Sequence, residues 1–290
     1  MWTRRHLIQT SLATTACLTP TWSTVAHAGD LDALDPFAPA SLYMERRSVF
    51  FDTPRTARAF ASLWKAYQQT GRPEYAEWAL IYSFAWWRSA PNRETRLKIT
   101  KIADRAAEQY IQRSNPAPGG RVWQAIMLGA KVATLGLLEA AHMLPAMLDQ
   151  LAEAEELGRP YYRGIIALSR AKIYYKAPAF PASVGNMQKA RDILAQYEGE
   201  KSRIAAWWWL TAELEHIEGN TERAFELLRE MPRKVVPPDV LLAYSLDTSV
   251  FDAAELIRAI RDGSYSRYLF DPFFLRTRPG LPNDWRPATA

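Results

Sequence analysis

The sequence predicts an all-α protein in which antiparallel helical hairpins stack into an α-α superhelix. Apolar residues recur at spacings of three and four from Pro54 to Ala259, and no stretch alternates with period two for long enough to make a sheet. A short motif around Gly185 also returns around Gly219, after 34 residues. The chain has 290 residues, 48% hydrophobic and 23% charged, so it carries enough apolar surface for one or two sizeable cores.

Residues 1–28 read as a removable export signal. Arg4-Arg5 supplies the positive start, Leu7 to Leu18 a mildly apolar stretch, and Ala26-His27-Ala28 a small-x-small cleavage site. Thr3-Arg4-Arg5-His6-Leu7-Ile8 resembles the twin-arginine signal, which implies export of a folded protein to the periplasm. The alternative is a lipoprotein signal acylated at Cys17, against which Thr14 stands where a Leu is expected. Cys17 is the only cysteine, so cleavage after Ala28 excludes disulfides, thiolate metal sites and cysteine nucleophiles together. Cleavage also removes Arg4 and Arg5 and no acid, which lowers the formal charge from +5 to +3. So small and dispersed a charge leaves no footprint for nucleic acid.

Residues 29–52 are expected to form an extended lead-in, 53–262 the helical domain and 263–290 an irregular capping strap. The first helix puts Ala57, Phe60, Ala61, Trp64 and Tyr67 on one face and stops at Gly71. Its antiparallel partner carries Tyr75, Trp78, Ala79, Tyr82 and Trp86. Asn92 to Gln112 makes a third helix with a charged outer face, closed by the breaker Ser114 to Gly120. Val122 to Leu144 is long enough to span a bilayer, but Lys131 and Glu139 lie well inside it, so a buried helix over Val122 to Ala141 is expected instead. Further helices follow over Pro145 to Leu157, Tyr161 to Lys176, Asn186 to Tyr197, Ser202 to Glu218 and Asn220 to Met231, then two weaker ones within Asp239 to Ala259. Beyond Gly263, aromatic residues among prolines suit a cover for the last helix.

The internal repeat is Gly185-Asn186-Met187-Gln188-Lys189-Ala190 against Gly219-Asn220-Thr221-Glu222-Arg223-Ala224, a period of 34 residues. Gly71 with Ala76 keeps the same offset. The glycine permits a left-handed turn, Asn caps the next helix, and the small Ala lets two helix backbones approach. Trp208 and Phe60 each stand eleven residues before a glycine, and Ala212 and Trp64 take the next small position, where Trp64 departs from the pattern. The period and these positions resemble the tetratricopeptide (TPR) repeat. Residues 120–231 more narrowly resemble the TPR-like periplasmic component associated with tripartite ATP-independent (TRAP) transporters. That resemblance rests on Arg121-Val122-Trp123, Tyr161-Tyr162-Arg163-Gly164, Tyr174-Tyr175, a Pro-containing insertion over Ala177 to Val184, and Gly185-Asn186 with Lys189-Ala190. It departs from the family at Val184, where a second Gly is common. It implies a non-catalytic binding or scaffold protein, an accessory of solute uptake, with no cofactor.

Chemistry-bearing residues are sparse. After residue 28 only His142 and His216 remain, and both are expected to be packed core or boundary residues rather than ligands of a metal. The acid clusters Glu153, Glu155, Glu156 and Glu213, Glu215, Glu218 keep open a rival reading, a helical periplasmic polysaccharide hydrolase or lyase with paired carboxylates. The binding candidates are Tyr161, Tyr162, Tyr174 and Tyr175 with Trp207, Trp208 and Trp209. Three consecutive Trp cannot share one helix face, so at least one is expected to point to a groove, a partner or an adjacent copy of the chain. Arg163 and Arg170 add a positive anchor for a carboxylate or a peptide terminus. The expected partner is an envelope protein or a small organic solute.

Overall fold

The computed structural model describes residues 33–114, 116–157 and 160–268, and the export signal therefore lies outside the described residues. Helix follows helix: α1 (Ser41–Arg46), α2 (Thr53–Thr70), α3 (Pro73–Ser89), α4 (Arg93–Arg113), α5 (Pro118–Leu135) and α6 (Leu137–Ala140). Next come α7 (Leu144–Leu157), α8 (Pro160–Lys176), α9 (Met187–Gln196), α10 (Ala205–Ile217), α11 (Thr221–Lys234) and α12 (Val240–Arg261). No strand forms among the described residues, and none of their helices is long and apolar enough to cross a membrane.

Local signals explain most boundaries. Asp52 accepts from the Arg55 amide at 2.8 Å to start α2, Pro54 fits its first turn, and Gly71 ends it at φ 69°. Asn92 starts α4 and Asp239 starts α12 in the same way, each at 2.8 Å. The buried helix expected to reach Ala141 stops at Leu135, because Gly136 takes φ 101° and breaks the chain's path. The lead-in departs from the expected extended form, since Ser41–Arg46 is α-helix and Arg47–Phe50 a 3₁₀ turn. Asp239 to Ala259, read as two weak helices, is one continuous helix of 22 residues.

Both copies of the repeated motif open the second helix of a hairpin, α8 with α9 and α10 with α11. Ala190, Ala224 and the matching Ala76 are each fully buried, at 0% exposure, where the paired backbones approach. The glycines differ in role. Gly219 adopts φ 93°, as a left-handed stop requires. Gly185 does not; a Cβ there would lie 2.1 Å from the Ala177 carbonyl oxygen, so close backbone approach is what excludes a side chain. Asn186 caps α9 by accepting from the Lys189 amide at 2.9 Å. Asn220 makes no such cap and donates to Glu215 at 2.8 Å.

An open stack would hold its first and last helices apart, but here they meet. Tyr43 of α1 donates to Asp247 of α12 at 2.8 Å. Val240 and Leu241 donate backbone bonds to Ala38 and Pro36, each at 2.9 Å, and the Tyr82 hydroxyl of α3 accepts from the Leu34 amide at 2.6 Å. Phe50 stacks on Tyr82 and on Tyr244, with ring centroids 4.9 and 5.0 Å apart. The lead-in therefore works as a clasp between α3 and α12, and the helices curl around a shared interior.

Candidate ligand cavity

Three helices present a regular stripe to that interior. On α8 the lining residues are Ile165, Leu168, Ser169, Lys172, Ile173 and Lys176; on α12 they include Tyr244, Ser245, Thr248, Ser249 and Asp252. Those spacings of three and four keep each set on one helix face. Phe84, Trp87 and Arg88 do the same on α3, while α5 adds Trp123 and α10 adds Trp209. Between them lies a cavity of about 340 Å³, walled mainly by aromatic and aliphatic side chains.

Polar groups in the wall are held in place. Arg88 and Asp252 form an ion pair at 3.1 Å, with side chains 6% and 2% exposed. Lys176 pairs with Glu213, which also accepts from the hydroxyls of Tyr175 at 2.6 Å and Tyr265 at 3.0 Å. Lys172 stands over the Trp209 ring, 5.2 Å from its centroid. The Trp87 indole donates to Thr134 at 2.9 Å, whereas the buried indole N–H of Trp123 has no hydrogen-bond partner among the described residues. Burial pushes the Tyr265 hydroxyl well above its usual range, and the Glu213 carboxylate adds to that shift. Burial also raises Asp247, partly offset by the Tyr43 hydrogen bond and the Arg47 charge.

Among the described residues of the aromatic constellation expected from the sequence, the three tryptophans do not line a surface groove. Trp207, Trp208 and Trp209 are all buried. Trp207 donates to the Leu194 carbonyl and Trp208 to the Lys201 carbonyl, each at 2.7 Å, and their rings meet edge-on. Only Trp209 reaches the cavity. The physical reason is that α8, α9, α11 and α12 all pack against α10, so no face of it is left for solvent. Tyr175 is turned to Glu213, and Tyr174 is half-buried with Lys189 over its ring at 5.5 Å. Arg170 is paired with Glu155 at 2.5 Å. Tyr161, Tyr162 and Arg163 occupy the first turn of α8, with side chains outside the described residues.

The histidines and acids also have definite places. His142 is exposed, against the expectation of a packed role, because the chain leaves α6 through a surface 3₁₀ turn. His216 shares a hydrogen bond with Thr221 at 2.9 Å and meets Tyr265 edge-on, and burial lowers its basicity. Glu153 pairs with Arg121 at 3.1 Å, and Glu215 and Glu218 both face Arg191. Among the described residues no group of three or more His, Cys, Asp or Glu side chains is placed to hold a metal ion. Sequence reasoning missed Arg88, Lys172, Lys176 and Asp252. Their signal was a charged residue standing at a core position of an otherwise apolar helix stripe.

Compared with protein-family models and with curated proteins, the chain matches none.

Proposed function

We propose that the chain is a non-catalytic binding protein of the periplasm, built on TPR-like helical hairpins, whose cavity holds a small organic solute with an apolar body and an acidic end. The cavity carries this reading. Its size lies within the usual span of small-ligand sites, and its wall is apolar apart from a few ordered polar groups. Arg88, Lys172 and Lys176 are the basic side chains of the described wall, and against them stand Asp252 on the wall, paired with Arg88, and Glu213 behind it, paired with Lys176. The one positive charge in excess favours an anion in a low-dielectric interior. The Trp123 N–H, without a hydrogen-bond partner among the described residues, adds a donor to the same wall.

The place in the cell rests on other observations. The twin-arginine-like start supports export, and the likeness of residues 120–231 to the periplasmic component of TRAP systems supports a role in solute uptake. Catalysis by paired carboxylates finds less support, because Glu153, Glu155, Glu213, Glu215 and Glu218 are each engaged by a cation. Calorimetric titration separates the readings: decanoate is expected to bind and decylamine, of equal chain length, to bind far more weakly. Equal binding of the two, or binding of neither, would contradict the proposal.

A further inference from the structure

We propose that the segment Ser264–Tyr268 is a gate on the cavity, latched by the buried carboxylate of Glu213 and hinged at Gly263. The proposal rests on the reading of the cavity as a ligand site. Of the described residues that line the cavity, Tyr268 alone is exposed, at 39%, which places it on the rim between cavity and solvent. Every other lining residue of the described set is buried or half-buried, so the rim is where a solute can pass with least displacement of packed helix.

Beyond the packing of the Tyr265 ring against His216 and its amide bond to the Ala259 carbonyl at 3.0 Å, the segment is fastened by side chains of α8 and α10. Tyr265 donates to Glu213 at 3.0 Å, and Lys176, paired with the same carboxylate, donates to the Arg267 carbonyl at 3.0 Å. Arg267 returns a bond to the Tyr175 carbonyl at 2.6 Å and lays its guanidinium over the Tyr268 ring at 5.2 Å. Glu213 keeps Tyr175 and Lys176 as partners if Tyr265 leaves, so the latch can open without stranding a buried charge. Upstream, Gly263 holds φ 71°, a left-handed turn that glycine adopts without strain, and it lies at the surface where the chain leaves α12. Lys176 belongs both to the latch and to the cavity wall, and an anionic occupant that draws its ammonium inward weakens the hold on Arg267.

Stopped-flow fluorescence with anilinonaphthalenesulfonate, which has an apolar body and an anionic end, tests this on the full chain. Tyr265→Phe and Arg267→Met each remove one fastening and leave the other in place. Each is expected to raise the association and dissociation rates together by about tenfold, the equivalent of one hydrogen bond to a charged group, with Kd unchanged. Rates indifferent to both substitutions would overturn the gate while leaving the cavity reading intact. A rise in dissociation alone, with affinity lost, would also overturn it, by making the segment a binding contact and not a barrier to passage. A probe that fails to bind the native chain contradicts the cavity reading and the gate with it.

Discussion

The guanidinium of Arg88 on α3 donates to the carboxylate of Asp252 on α12 at 3.1 Å, across 164 residues of sequence. With the clasp of residues 33–50, this contact turns a row of helical hairpins into a closed array around a cavity. Both side chains are buried, and each helps to compensate the charge of the other.

Removing one partner alone, as in Arg88→Met or Asp252→Leu, is expected to cost about 3–5 kcal/mol in stability, because the remaining buried charge loses this counter-ion. The double variant Arg88→Met/Asp252→Leu should recover most of that loss. Urea unfolding of the three variants measures the coupling, and additive losses would contradict the pairing.

The two repeat glycines should respond differently to alanine. Gly219→Ala places a side chain in a left-handed turn with open space around it and is expected to cost about 1–2 kcal/mol. Gly185→Ala drives a Cβ into two backbone carbonyls that cannot swing aside, and should cost clearly more. Unfolding midpoints of the two variants decide the order.

The three tryptophans divide by what they touch. Trp207→Ala and Trp208→Ala each open the core and orphan a carbonyl, with a loss of about 3–5 kcal/mol. Trp209→Phe keeps an aromatic ring under Lys172 and should leave stability nearly native while weakening binding of an anionic probe. Thermal unfolding alongside probe titration reads both effects.

Asp247 makes a pH signature. Its carboxyl is raised above the ordinary value of 3.8, so the folded chain holds that proton longer than the unfolded chain does. The stabilising contribution is therefore complete below 3.8 and fades as pH rises through the raised folded value. Asp247→Asn cannot lose a proton, yet its side-chain oxygen still accepts from Tyr43. The native chain should accordingly lose stability relative to Asp247→Asn as pH rises above 3.8 and through the raised folded value, which paired unfolding curves detect.

Much of the helical order was legible because it is local. The stripe from Ala57 to Tyr67, the stop at Gly71, the start at Asn92 and the cap at Asn186 each need only a few neighbouring residues. The closure of the array was not legible, since it depends on Leu34 meeting Tyr82 and on Arg88 meeting Asp252, and no local pattern encodes either contact. The same interior misled the reading of α12. Asp247, Thr248, Ser249 and Asp252 interrupt its apolar rhythm, so one helix looked like two weak ones. For a related reason no local pattern showed where the three tryptophans would go: helices pack around α10, so all three rings are buried and Trp209 turns to the interior cavity.

The central claim is that the space between α3, α5, α8, α10 and α12 is a ligand site. Ala206 lines it from the first turn of α10, and Ala206→Trp should fill it without touching the ion pairs. Calorimetric titration of decanoate into the native chain and into Ala206→Trp is the most direct test. The account predicts binding to the native chain and loss of that binding in a variant that still unfolds cooperatively. Equal heats of binding from both proteins would place the solute elsewhere and contradict it.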